Sequence, residues 1–201
     1  MSFRKEEKLH IHKNQLFNLL DWIFKNKGYK LYESRTVSST YFDNDQMQMF
    51  AESEEGSVPR KKIRVRSYST KKHEFGTSSL EIKTSSVEGR FKTSTKNFNL
   101  KHTMDSGFFD PDYGICKPTV RVTYIRDYYK VHNVRLTIDK NISYKEIFSN
   151  RRQVFNYKEP EIVVEIKASD SVSMEYLMKT FPFSRVRFSK YSNAINACRF
   201  K

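Results

Sequence analysis

The chain has 201 residues, enough for one domain with a real core. Its 37% hydrophobic and 14% aromatic content excludes a disordered chain, no apolar run approaches the roughly 20 residues that span a bilayer, and the N-terminus carries no apolar signal core. The formal net charge of +14 calls for an anionic partner, such as nucleic acid, an acidic membrane surface or polyphosphate. Cys116 and Cys198 sit in no CxxC pair, so no thiolate metal site is expected and a reducing, cytoplasmic setting is the simplest reading.

In chain order, the first expected element is a strand over Lys5–His12. A helix follows over Asn14–Asn26, with Leu16, Phe17, Leu20, Ile23 and Phe24 forming its apolar stripe. Trp22 falls off that stripe, and Gly28 is placed to end the helix. Period-two alternation then predicts strands over Thr36–Phe42, Lys61–Ser69, Ser79–Thr84, Gly89–Thr95, Thr119–Tyr128, Val134–Ile138 and Glu161–Ala168. Lys71-Lys72-His73 reads as a solvated hairpin tip. A second helix is expected over Ser171–Thr180, with Met174, Leu177, Met178 and Phe181 on one face and Pro182 as its stop. A strand over Arg185–Phe188 and a short helix over Ser192–Cys198 close the chain. No repeat or Pro/Gly-rich linker divides it, so residues 1–201 read as a single α+β domain dominated by an antiparallel sheet.

The informative feature is what alternates. In Lys62-Ile63-Arg64-Val65-Arg66 three cations share one face of a strand and the aliphatics share the other. Glu81 and Lys83 oppose Leu80 and Ile82; Arg135 and Asp139 oppose Val134, Leu136 and Ile138; Glu165 and Lys167 oppose Val164 and Ile166; Glu6, Lys8 and His10 oppose Leu9 and Ile11. A solvated polar face accounts for any one of these strands. Clustered Arg and Lys across several strands repel one another unless an anion neutralises them. A closed sheet with a charged lumen and helices packed outside satisfies the whole pattern and suits a linear polyanion, because Arg and Lys bind phosphate oxygens. Glu in such a lumen calls for a divalent cation, Mn²⁺ or Mg²⁺, bridging carboxylate to phosphate.

These motifs resemble a known family. Arg4, Glu6 and Lys8 match an R-x-E-x-K strand, Ser39-Thr40-Tyr41-Phe42-Asp43 an S-x-Y-F-D strand, Arg64-Val65-Arg66-Ser67-Tyr68 an R-x-R-x-Y strand, and Glu81-Ile82-Lys83 an E-x-K strand. Tyr124-Ile125-Arg126, Arg135-Leu136-Thr137-Ile138-Asp139, Glu165-Ile166-Lys167 and Arg187-Phe188-Ser189-Lys190-Tyr191 continue the series. The chain resembles the VTC domain, the polyphosphate polymerase branch of the triphosphate tunnel metalloenzyme (CYTH-like) superfamily. One departure is Gly89-Arg90-Phe91-Lys92, where the family's K-x-R order is reversed and the inward residue is open.

The resemblance implies an eight-stranded closed tunnel. It also implies transfer of the terminal phosphate of a nucleoside triphosphate, ATP, onto polyphosphate. Lys8, Arg64, Arg66, Lys83, Arg126, Arg135 and Lys190 are the expected catalytic residues, and Lys62, Arg90, Lys92, Tyr124, Lys167 and Arg187 the expected substrate contacts. Glu165 is the leading metal ligand, with Glu6 and Glu81 as helpers. The alternative for Glu165 is an ion pair that holds a barrel together, and Asp43 suits a strand end more than a metal site. An inorganic triphosphatase and a non-catalytic polyphosphate sensor remain open on the same residues. Nucleic acid is not expected as a partner, since no basic recognition helix or aromatic platform accompanies the charge.

Overall fold

The computed structural model describes residues 4–70, 77–147, 156–169, 171–181 and 184–199, the side chains of Arg4, Lys5, Met174, Leu177, Met178 and Arg199 excepted. The Lys71-Lys72-His73 tip, the Pro182 stop and the helix-face side chains Met174, Leu177 and Met178 therefore lie outside the described residues.

Among the described residues ten strands run β1 (Arg4–Ile11), β2 (Tyr29–Asp43), β3 (Arg60–Ser69), β4 (Ser78–Ser86), β5 (Gly89–Thr95), β6 (Phe108–Asp110), β7 (Gly114–Val131), β8 (Val134–Glu146), β9 (Asn156–Lys158) and β10 (Ile162–Ser169). The helices are α1 (Leu16–Lys25), α2 (Gln48–Glu55), α3 (Leu100–Ser106), α4 (Met174–Thr180) and α5 (Lys190–Arg199). Hydrogen bonding orders the sheet β1-β10-β8-β7-β2-β3-β4-β5, with β6 on β7 and β9 on β8. The pairs β1–β10, β10–β8, β3–β4, β4–β5 and β6–β7 are antiparallel. The expected closed barrel is thus not formed by hydrogen bonds: the ladder starts at β1 and ends at β5, and these two do not pair among the described residues. The outer edge of β1 is instead occupied from the C-terminal side. Leu9 makes an isolated bridge to Arg185, and the Val186 N–H donates to the Lys8 carbonyl at 3.0 Å. The segment expected as a strand over Arg185–Phe188 supplies that bridge and no more.

The chain divides into two compact units. The first joins Met1–Thr36, Tyr124–Ile142 and Lys158–Phe188; the second joins Val37–Thr123, Ser143–Tyr157 and Ser189–Lys201. In the first unit Leu9, Ile11, Leu136, Ile138, Ile162, Val164 and Ile166 are buried with Leu19 and Ile23 of α1 and with Phe181. Each such aliphatic side chain, fully buried, contributes roughly 1.5–3 kcal/mol. The stripe of α1 is rotated from expectation: Leu19 and Ile23 point inward, while Phe17 and Phe24 are 76% and 58% exposed. Trp22 packs on Phe181 with ring centroids 4.6 Å apart. Among the described residues, no helix is long and apolar enough to cross a membrane.

In the second unit, α2 is held at its start by Asp43 at the end of β2. The Asp43 carboxylate accepts the Asn44, Met49 and Phe50 N–H groups at 2.9, 3.1 and 2.9 Å and the Tyr191 hydroxyl from α5. Ser189 serves α5 in the same way, its Oγ accepting the Ser192 N–H at 3.2 Å.

Candidate functional site

Strand register determines which side chains meet. In the first unit, residues facing away from the core fall into rows across β1, β10 and β8: Glu6–Lys167–Arg135, Lys8–Glu165–Thr137 and His10–Val163–Asp139. On β7, Arg126 donates through Nε and an Nη to the two Asp139 oxygens at 2.6 and 2.7 Å, a bidentate fork on a carboxylate with no exposure. The same guanidinium lies 3.6 Å from Glu165 and 5.2 Å over the Tyr124 ring. Lys167 reaches Glu165 at 2.7 Å and Glu6 at 3.6 Å. Burial opposes ionisation of Glu165, yet Lys167, Arg126 and a hydrogen bond with Glu6 hold its carboxyl well below the usual range. Lys8 donates to the Phe188 carbonyl at 2.6 Å. Arg135, at the end of its row, is exposed.

In the second unit the rows across β3, β4 and β5 are Lys62–Lys83–Lys92, Arg64–Glu81–Ser94 and Arg66–Ser79. Arg90, opposite Ser85, shares this face two residues from Lys92, so the reversed order of the pair leaves both on one side. Glu81 is 2% exposed. Arg64 grips it at 2.7 and 2.5 Å, Arg66 stands 3.8 Å away, and Lys92 takes the other carboxylate oxygen. Burial works against its charge, but Arg64, Arg66 and Lys92 bring Glu81 down to about 2. The face continues onto β2, where Ser39 accepts from Arg66 at 3.0 Å and the Tyr41 hydroxyl accepts from Arg64 at 3.2 Å. Lys62 donates to Ser189 Oγ at 2.9 Å, and Lys190, in the first turn of α5, adds its charge to the field at Tyr41. Arg187, in the first unit, is exposed.

Several of these partners stood in the sequence motifs without being assigned a role in the site. Asp139 aims Arg126; Ser39 and Tyr41 aim Arg66 and Arg64; Asp43 and Tyr191, 148 positions apart, bond to each other. The alternation Ser39, Tyr41, Asp43 was the available signal, because a period of two puts all three on one face.

Among the described residues no group of three His, Cys, Asp or Glu side chains forms a metal cluster. The donor set that fits a divalent cation is the pair Glu6 and Glu165, two carboxyls on adjacent strands in hydrogen-bond contact. Both Glu165 and Glu81 are ion-paired, but they differ in neighbours: Glu165 faces Lys167 at 2.7 Å and Arg126 at 3.6 Å beside the second carboxyl of Glu6, whereas Glu81 is engaged by Arg64, Arg66 and Lys92.

A family model, the VTC domain, matches residues 3–113 and 108–199. The chain belongs to the VTC domain family. The resemblance carried by the R-x-R, E-x-K and R-x-T-x-D motifs is borne out by that match. Among solved structures, this VTC domain is similar to a putative adenylate cyclase from Vibrio parahaemolyticus, at 15% identity and a TM-score of 0.59, over 98% of this chain and 99% of the other. It is also similar to a putative adenylyl cyclase from Hippeastrum described as having a dominant triphosphatase activity, at 14% identity and a TM-score of 0.54, over 96% and 95%. At these identities the likeness is one of fold. No curated protein matches the chain in sequence.

Proposed function

We propose that this VTC domain, one domain over residues 1–201, is a cytoplasmic, metal-dependent phosphotransferase that moves the terminal phosphate of a nucleoside triphosphate such as ATP onto a polyphosphate chain. The observation that carries this reading is the second unit's face, where across β3, β4 and β5 Lys62, Arg64, Arg66, Lys83, Arg90 and Lys92 share a side with a single carboxylate, Glu81. So one-sided a face is stable with a polyanion on it and self-repelling without one.

Phosphoryl transfer asks a protein for positioning and charge neutralisation more than covalent work. Arg64 and Arg66 are pre-aimed by Glu81, Tyr41 and Ser39, so their forks meet phosphate oxygens with little reorganisation. Arg126 is set the same way by Asp139, and Lys8 and Lys167 add charge on the first unit's face. Glu6 and Glu165 are the residues that would hold Mn²⁺ or Mg²⁺, which would neutralise phosphate charge there. The attacking phosphate of an acceptor chain is already ionised near neutral pH, so the chain needs no general base.

The test incubates the protein with ATP and Mn²⁺ or Mg²⁺ and follows long-chain polyphosphate and free phosphate together. Chain growth is expected, falling by about 10²-fold or more in Arg64→Ala and in Glu165→Gln. Free phosphate without chains would replace the polymerase by a triphosphatase. Neither product, with polyphosphate still bound, would leave a sensor.

A further inference from the structure

Thr137 is 2% exposed, and its Oγ1 has no hydrogen-bond partner among the described residues. Buried hydroxyls are normally satisfied, so an orphan at this place requires a reason. Leu136 and Ile138 on either side belong to the core, which puts the Thr137 side chain on the charged face of the first unit. There it is the cross-strand partner of Glu165, which is itself the partner of Lys8. The surrounding acceptors are engaged elsewhere: Glu165 by Lys167 and Arg126, and Asp139 by both arms of Arg126. Valine would fill the same volume with the same strand preference and leave no orphan, so packing does not explain the hydroxyl. The same face holds a second such atom, His10 Nε2, one row along on β1.

We infer that the Thr137 hydroxyl is a substrate contact on this face, donating a hydrogen bond to a phosphate oxygen of the bound chain. This rests on the phosphate-binding reading above and adds a neutral donor to its cations. A phosphate oxygen would supply the acceptor that the neighbouring carboxylates, held by Lys167 and Arg126, do not, and a hydrogen bond to a charged group is about twice as strong as a neutral one. A hydroxyl that is unsatisfied until substrate arrives makes its contribution to binding and none to the resting fold.

The experiment measures binding of inorganic tripolyphosphate by calorimetry to the whole chain as wild type, Thr137→Val and Thr137→Ser, with thermal unfolding of each in the absence of ligand. Thr137→Val is expected to bind about tenfold more weakly, with an unliganded melting temperature equal to or above that of the wild type, and Thr137→Ser to recover most of the affinity. Equal affinity in Thr137→Val would overturn the inference, since the hydroxyl would then make no contact with the bound anion. So would a lower unliganded melting temperature, which would reveal a partner inside the protein. A wild type that does not bind tripolyphosphate would remove the phosphate reading itself, and this inference with it.

Discussion

Tyr41 shows how the charged face acts on a single group. Its ring stacks on Tyr191 at 5.2 Å, its hydroxyl accepts from Arg64, and it is 4% exposed. Burial pushes the phenol up, but Arg64, Arg66 and Lys190 outweigh it and bring the group down from 10.0 to about 7. The folded value lies below the unfolded one. The stabilisation from Tyr41 ionisation is therefore complete above pH 10 and is lost as the pH falls through about 7. The expected outcome is one tyrosine whose tyrosinate absorbance titrates near neutrality in the native protein and disappears in Tyr41→Phe. Tripolyphosphate should push that step upward, because a bound anion cancels the field of the arginines. A neutral step that survives in Tyr41→Phe would assign it to another group.

At the scale of elements, α1 shows both what sequence can specify and what it leaves open. Leu16, Phe17, Leu19, Leu20, Trp22, Ile23 and Phe24 offer more than one apolar stripe, and packing against β8 and β10 selects the one through Leu19 and Ile23. The end of α1 is also shifted by one residue from the glycine. Lys27 takes the left-handed position at φ 57, its N–H donating to the Phe24 carbonyl at 3.0 Å, and the Gly28 N–H donates to the Ile23 carbonyl at 2.8 Å. Gly28 is needed for space: a Cβ there would stand 2.6 Å from Ile23 Cγ2 and 2.7 Å from both the Ile23 carbonyl oxygen and Val131 Cγ2. Gly28→Ala should cost about 1–3 kcal/mol in urea unfolding, whereas Lys27→Gly should be neutral or stabilising. Equal stability of Gly28→Ala and the wild type would show that the backbone yields there. The longer strands were legible because period two survives in them, and it put Arg64, Glu81 and Glu165 on the right faces; the three-residue β6 and β9 are too short to show it. α2 and α3 were not, since their starts depend on caps: Asp43 at the end of β2 for one, and the Asn99 side chain accepting the His102 N–H for the other. That the hydrogen-bonded ladder stays open between β1 and β5 was not legible either. Alternation fixes faces, while the neighbour of an edge strand is set by distant chain, here Arg185 and Val186 beside β1.

For the molecule as a whole, +14 is a standing repulsion that any bound polyanion relieves. Composition announced that charge but not its placement; the register of β3, β4 and β5 shows that part of it is concentrated on one strand face. A diffuse cationic surface and a built phosphate site respond differently to ions. A diffuse surface is screened by any salt, and sodium chloride at matched ionic strength would stabilise it as well as tripolyphosphate does. A built site gains about 3 kcal/mol at a ligand concentration 100-fold above the dissociation constant, equivalent to several degrees in melting temperature for a chain of this size. We therefore expect tripolyphosphate to raise the melting temperature by several degrees where matched sodium chloride does not. The effect should shrink in Arg64→Ala, and log affinity should fall steadily with log salt as counterions are released. Matched shifts from the two salts would reduce Lys62, Arg64, Arg66 and Lys83 to a general cationic field and remove the structural basis for a phosphate-processing site.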